Sequence, residues 1–161
     1  MRERYERYFD GAHGELARKK YATWLETARS RDAELKSKGG GIAPTLVGGS
    51  KKHGGADLGP SRAKASWKQL GVSGLGVAND IATCEKKGSE GRDLFGPDGP
   101  MLTVEQAAII QGFPRGWQFT GGKTAQYRQV GNAFPPPVAA AVGKSIIEVL
   151  KAARERGQGQ A

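Results

Sequence analysis

Cysteine and aromatic side chains are scarce in this chain of 161 residues. The single cysteine, Cys84, excludes an internal disulfide, and with His13 and His53 it supplies too few ligands, at unsuitable spacing, for a structural zinc site. Aromatic residues make up 7% and hydrophobic residues 37% of the chain, whereas glycine occurs 25 times. We therefore expect a thin hydrophobic core, many turns and no bound metal.

Long apolar runs and acidic residues are also under-represented. No apolar run approaches the roughly 18 residues of a membrane span, and the amino terminus does not resemble a signal peptide. We therefore expect a soluble, cytoplasmic protein with no membrane partner. The chain carries 25 Lys and Arg against 16 Asp and Glu, a net charge of +9, which indicates an anionic partner with nucleic acid as the first candidate.

Most of the excess charge lies in residues 36–70, where seven basic residues and one acid give a net charge of +6. The basic residues are Lys36, Lys38, Lys51, Lys52, Arg62, Lys64 and Lys68. Lys51, Lys52 and His53 lie between two Gly-Gly pairs. Glycine lets a backbone approach a duplex closely, and lysine neutralises phosphates. This pattern is consistent with DNA contact and also with a solvated surface loop.

Hydrophobic spacing gives a coarse map of the first hundred residues. It predicts helix over residues 1 to about 37, ended by the glycines at 39–41. Residues 42–47 form a candidate short strand, and residues 63–70 a candidate short helix. Residues 79–100 are polar, with mixed charge, glycine and proline, and are predicted to form a loop.

The last third contains clearer helix signals. Thr103 and Gln106 form a capping-box pattern, and Gly112 and Pro114 are placed to end the helix that follows. A second helix is predicted after the prolines at 135–137. One of its faces carries Val138, Val142, Ile146, Val149 and Leu150. Either the amino-terminal helix of this chain or an external partner must cover that face.

Two ordered blocks in this last third carry the most specific pattern of the sequence. Residues 102–114 are LTVEQAAIIQGFP and residues 127–137 are YRQVGNAFPPP. They resemble the ninth and tenth motifs of bacterial DNA cytosine-5 methyltransferases, and the firm similarity covers about residues 101–147. Upstream, Pro44, Thr45 and Leu46 resemble the Thr-Leu pair of that family's target recognition domain.

The resemblance implies transfer of a methyl group from S-adenosylmethionine to carbon 5 of a cytosine that is flipped out of double-stranded DNA. It implies that the turn at Gly131 and Asn132 lines the cofactor site, so that Asn132 and Ala133 are candidate cofactor contacts. With the basic loop included, the candidate DNA-binding residues are Thr45, Leu46, Lys51, Lys52 and His53.

The reaction centre of the family is missing from this sequence. It contains no Phe-x-Gly-x-Gly cofactor loop, no Pro-Cys nucleophile motif, no Glu-Asn-Val and no Gln-x-Arg-x-Arg. We assign no catalytic residue, and expect the chain to be inactive alone and to bind S-adenosylmethionine only with the missing catalytic part. Three interpretations follow: a subunit that complements a catalytic methyltransferase chain, a truncated fragment, or a stand-alone DNA-binding or regulatory module without catalysis.

By the same resemblance the fold is an α+β fragment. It combines a small DNA-recognition domain of short strands and helices with a C-terminal helix that completes a Rossmann-like α/β methyltransferase domain. We expect a charged helical segment at 1–38, the target recognition region at 39–100, the ninth-motif helix and turn at 101–121, and the tenth-motif segment with the C-terminal helix at 122–161. The expected location is the bacterial cytoplasm, in association with the nucleoid.

Overall fold

The computed structural model of the protein describes residues 1–37, 43–48 and 55–158. These residues form eight α-helices, with one isolated parallel bridge between Ser73 and Met101 and no β-strand among them. The helices are α1 (Arg2–Glu6), α2 (Gly14–Ser37), α3 (Ser61–Gln69), α4 (Ile81–Lys87), α5 (Glu90–Asp93), α6 (Val104–Gln111), α7 (Lys123–Asn132) and α8 (Pro136–Gln158).

The helix predicted over residues 1 to 37 is divided in two. A turn at residues 7–13 separates α1 from α2 and folds α1 back against it. Tyr5 of α1 is 1% exposed, and its ring centroid lies 5.4 Å from that of Tyr21 and 6.2 Å from that of Phe95. These distances are typical of aromatic packing, so the amino-terminal segment has a small aromatic core that helical spacing alone does not reveal.

The loop predicted at residues 79–100 is wrong, because this region contains α4 and α5. Asp80 caps α4, since its Oδ1 accepts a hydrogen bond from Thr83 N at 2.8 Å. Gly88 ends α4 at φ 56°, a left-handed conformation that glycine adopts at low cost. Helices this short have too few turns to show a hydrophobic period, although both capping signals are present in the sequence.

A second, larger hydrophobic core joins α3, α6 and α7 to the described part of the recognition region. The predicted helix near residues 63–70 is confirmed as α3, and its Trp67 is 2% exposed. Residues 43–48 carry no strand, and Ile42 lies outside the described residues. The buried members of the core are Leu46, Leu58, Trp67, Val72, Val77, Leu102, Ala107, Ala108, Tyr127 and Val130.

The helix signals of the last third are confirmed. Thr103 Oγ1 accepts a hydrogen bond from Gln106 N at 3.2 Å, and Gln106 Oε1 accepts one from Thr103 N at 3.1 Å, which completes the capping box of α6. Gly112 ends α6 at φ 91°. α8 begins at Pro136 as expected. α7, which lies between these two helices, was not predicted from the sequence.

Candidate functional site

Two predicted site segments meet at the carboxyl-terminal end of α7. Gly131 and Asn132 form the last turn of this helix. The segment at residues 45–48 crosses that turn so closely that a β-carbon at Gly131 would lie 2.5 Å from Val47 C. The structure therefore brings the segment that carries Thr45 and Leu46 against the end of α7, although 86 positions or more separate these two residues from Asn132 in the sequence.

The predicted residues at this junction differ in exposure. Leu46 is 2% exposed and belongs to the hydrophobic core, whereas Thr45 and Asn132 are exposed. Ala133 is half-buried, and its carbonyl accepts a hydrogen bond from Gln111 Nε2 at 3.0 Å. Of these four residues, Thr45 and Asn132 are therefore the two whose side chains are open to a ligand.

Lys51, Lys52 and His53 lie outside the described residues. The described cations of the same basic segment are largely neutralised within the chain. Lys64 Nζ lies 2.7 Å from Asp57 Oδ2, and both side chains are partly buried. Two further ion pairs are Lys36 with Asp32 and Lys68 with Asp98. Part of the +6 charge is consequently balanced by nearby carboxylates and is less available to an anionic partner.

An open cleft of about 900 Å³ lies between α1, α4, α6 and the loop at residues 114–119. Its charged lining residues include the cations Lys87, Arg115 and Lys123 and the acids Glu3, Asp80 and Glu105. This cleft was not predicted from the sequence, because separate segments build it and no single motif marks it. The mixed lining gives the cleft no strong preference for a ligand of one charge sign.

A buried polar network lies next to the cleft and shares the lining residues Asn79 and Lys123 with it. The Asp93 side chain is fully buried and accepts hydrogen bonds from Asn79 N and Nδ2, Ser89 Oγ and Arg92 Nε at 2.7 to 3.0 Å. Burial opposes the charged form, but the hydrogen bonds, led by that from the Asn79 backbone, hold the pKa of Asp93 below its ordinary value. Lys123 Nζ donates to Asn79 Oδ1 at 3.0 Å, and burial followed by repulsion from Arg92 lowers the pKa of Lys123.

Arg4 connects α1 to the start of α6. This arginine is 7% exposed, and its Nη1 donates to Met101 O at 2.7 Å and to Gln106 Oε1 at 3.1 Å. Its Nη2 donates to Asp93 O at 3.1 Å. The α6 capping box is therefore held from outside by the first helix of the chain.

The apolar face of α8 stays exposed in the part of the chain that the structure describes. Val138, Val142, Ile146, Val149 and Leu150 are 45% to 68% exposed. The amino-terminal helices do not cover them.

By length and composition, the stretch Lys123–Arg156 could also cross a membrane, with a mean hydropathy of 1.2 in its apolar window. Lys144 and Glu148 interrupt the aliphatic residues of α8, so this window contains no uninterrupted apolar run of about 18 residues, and the absence of a membrane partner stays a prediction.

No group of His, Cys, Asp and Glu that could hold a metal ion occurs among the described residues. Cys84 is buried, and the Tyr8 hydroxyl donates to its Sγ at 3.6 Å. A buried thiol of this kind has little access to a substrate. The chain thus presents candidate binding residues at the α7 junction and no exposed thiol in its described part.

Comparison with known proteins places the chain in a family. The model for C-5 cytosine-specific DNA methylases matches residues 7–148. The chain therefore belongs to the C-5 cytosine-specific DNA methylase family, and the family match extends well upstream of the firm similarity expected at residues 101–147. No solved structure matches the chain.

Relatives in bacteria and animals support this assignment. The chain is 56% identical over 110 residues to the Type II methyltransferase M.NaeI of Lentzea aerocolonigenes, covering 68% of this chain and 25% of that protein. It is 67% identical over 52 residues to M.NgoMIV of Neisseria gonorrhoeae, covering 32% and 17%. It is 42% identical over 76 residues to DNA (cytosine-5)-methyltransferase 1 of Mus musculus, covering 47% and 5%. The chain thus spans a quarter or less of each of these relatives.

Proposed function

We propose that this chain is the DNA-recognition and C-terminal part of a DNA (cytosine-5-)-methyltransferase. Residues 39–100 contribute target recognition, and residues 122–161 contribute part of the S-adenosylmethionine site and the helix that completes a Rossmann-like domain. A catalytic part carrying the nucleophile motif, which this sequence lacks, transfers the methyl group to carbon 5 of cytosine. The complex acts on double-stranded DNA in the bacterial cytoplasm, in association with the nucleoid.

The junction between residues 45–48 and the end of α7 carries this proposal. It joins the segment that carries a candidate DNA contact, Thr45, to the helix end that carries a candidate cofactor contact, Asn132, and both residues are exposed. A methyltransferase needs its DNA base and its cofactor close together, because the methyl group passes directly between them. The exposed face of α8 supports the requirement for a catalytic partner.

The residues present fit part of a cofactor site. Asn132 offers an exposed amide that can donate and accept hydrogen bonds. Ala133 offers only backbone groups, and its N–H and carbonyl already bond to Gln129 O and Gln111 Nε2. S-adenosylmethionine, when bound, supplies the methyl group. In this assignment Asn132 helps to orient the cofactor and the catalytic part provides most of its site.

A reconstitution assay tests the proposal. The chain alone should transfer no labelled methyl group from S-adenosylmethionine to duplex DNA. Addition of the part of the Lentzea relative that this chain does not match should produce transfer, and the Cys84→Ala variant should support it equally well. Methyl transfer by the chain alone that is lost in Cys84→Ala would identify Cys84 as the nucleophile and contradict the proposal.

The alternative is a stand-alone DNA-binding or regulatory module, which the charge of residues 36–70 favours. Both functions predict salt-sensitive DNA binding, with a log–log salt slope of roughly 0.9 for each phosphate contact. Replacing Lys51 and Lys52 by Ala should lower the slope by about two, whereas Lys68→Ala, which removes a cation already paired with Asp98, should not. A stand-alone module would bind its target DNA with full affinity by itself. A part of a methyltransferase would reach full affinity only together with its catalytic part.

A further inference from the structure

α7 ends in direct contact with the segment that carries Thr45. A β-carbon at Gly131 would lie 2.5 Å from Val47 C and 2.6 Å from Gly48 Cα, and a β-carbon at Gly48 would lie 2.7 Å from Asn132 Cγ. Side chains cannot occupy such spaces. The two glycines therefore allow the segment and the helix to cross without a side chain between their backbones.

The two glycines face different neighbours. The closest atoms to a β-carbon at Gly131 are backbone atoms, which cannot move without shifting the segment. The closest atoms to a β-carbon at Gly48 are Oδ1, Cγ and Nδ2 of Asn132. All three lie beyond the β-carbon of that asparagine. Its amide therefore fills the space beside Gly48, and truncation to alanine would empty it.

A second contact fixes the same segment. Leu46 belongs to the hydrophobic core together with Tyr127 and Val130 of α7. Leu46 and Gly48 are buried, whereas Thr45 and Val47 point outward. α7 therefore contacts the segment at Leu46 and at Gly48, two positions apart. These two contacts fix the direction in which the Thr45 side chain points.

We propose that Gly131 and Asn132 are positioning residues for DNA recognition, which hold residues 45–48 against α7 so that Thr45 faces the DNA in one orientation. This inference rests on the proposed function, because it takes residues 39–100 to be the DNA-reading part. It gives Asn132 a role in DNA binding that is separate from its candidate contact with the cofactor.

Complementary substitutions test the positioning role in the chain combined with its catalytic part. Gly48→Ala introduces a methyl group that clashes with the Asn132 amide, and DNA affinity should fall about tenfold, a typical effect for residues in direct contact. Asn132→Ala empties that space, so the double variant should recover DNA affinity to within about threefold of wild type. Gly131→Ala clashes with backbone, and Asn132→Ala should not rescue it. Gly91→Ala, which meets nothing within 4 Å, is the matched control.

Two readouts distinguish positioning from cofactor contact. Affinity for S-adenosylmethionine should fall in Asn132→Ala and should stay low in the double variant, while DNA affinity recovers. Thermal unfolding of the chain alone should show the same rescue of Gly48→Ala, without any ligand.

A folded Gly48→Ala variant that binds DNA like wild type, or a double variant that gains nothing, would overturn the inference while leaving the proposed function intact. Absence of DNA binding by the wild-type complex would overturn both, and a rescue seen in unfolding would then mark a structural contact only.

Discussion

Helices α6 and α8 are both rich in aliphatic residues, but they are used in opposite ways. α6 has eight residues, and its Ala107 and Ala108 are 0% and 4% exposed. A capping box fixes its start and Gly112 fixes its end. α8 has 23 residues, yet no described side chain in it is buried. The shorter helix is thus buried by the chain itself, whereas the longer one leaves its aliphatic face exposed.

The difference shows that the number of apolar residues in a helix does not tell which surface covers them, or whether that surface belongs to the same chain. A large aliphatic side chain contributes about 1.5–3 kcal/mol when it is fully buried, and α8 leaves five on one face exposed. α6 obtains its burial from α7 and the loops around it. In our account α8 obtains its burial from the catalytic part of the methyltransferase.

The largest contrast should come from the same charge placed on each helix. Ala107→Asp puts an unpaired carboxylate into the core and should lower the free energy of unfolding by about 3–5 kcal/mol. Ile146→Asp changes an exposed site, and the chain alone should lose less than about 0.5 kcal/mol. Urea unfolding of both variants measures this. Equal losses would show that α8 is packed within the chain and would remove the contrast.

Arg4 tests how far α6 depends on its external contact. Arg4→Ala leaves the carbonyl of Met101 without its donor and removes one of the two donors to the carbonyl of Asp93, which should cost about 1–3 kcal/mol of stability. Arg2 lies in the same helix but is exposed and pairs only with Glu6, so Arg2→Ala is the matched control. Thermal unfolding should separate the two variants clearly. A small effect of Arg4→Ala would mean that the capping box of α6 is sufficient by itself.

Asp93 should make the region before α6 sensitive to acid. Its pKa is lower in the folded state than the ordinary pKa of an aspartate. The carboxylate therefore adds stability above that value, and this contribution is lost as the pH falls through the folded-state pKa. The difference in Tm between wild type and Asp93→Asn should be largest near neutral pH and shrink in acid. A difference that does not change with pH would contradict this assignment.

Tyr127 should give the smallest effect, because its hydroxyl makes no hydrogen bond within the part of the chain that the structure describes. The side chain is fully buried, and the hydroxyl has no partner among the described residues. Burial raises the pKa of Tyr127, and the nearby Asp57 raises it further, so the group stays neutral. Tyr127→Phe should leave stability unchanged or raise it by up to about 1 kcal/mol. A loss above that range would reveal a hydrogen bond to a residue outside the described ones.

Local signals in the sequence predicted α6 and α8 well. The Thr103 and Gln106 pair, Gly112 and the prolines at 135–137 act within a few residues of one another, so their effect can be read without tertiary contacts. α7 was missed because its sequence, KTAQYRQVGN, has no side-chain N-cap and carries a glycine at its next-to-last position. That glycine is explained only by the close approach of residues 47–48, which are remote in sequence.

The sequence predicted which residues belong to the candidate site, but not how they are arranged in space. The motif resemblance marked Thr45, Leu46, Asn132 and Ala133. It did not predict that the segments carrying these residues meet, that Leu46 is buried, or that Arg4 supports the start of α6. Such features depend on contacts between distant segments, which neither hydrophobic spacing nor capping signals encode.

Hydrogen exchange along α8 tests the central claim most directly, because most helical stability in proteins comes from packing against other elements. In the chain alone, amides at residues 138–150 should exchange rapidly, while those of α6 are protected. Addition of the catalytic part should slow exchange along α8, and Ile146→Asp should abolish that slowing because it places a carboxylate in an apolar interface. Strong protection of α8 in the chain alone, unchanged by the catalytic part, would contradict the account.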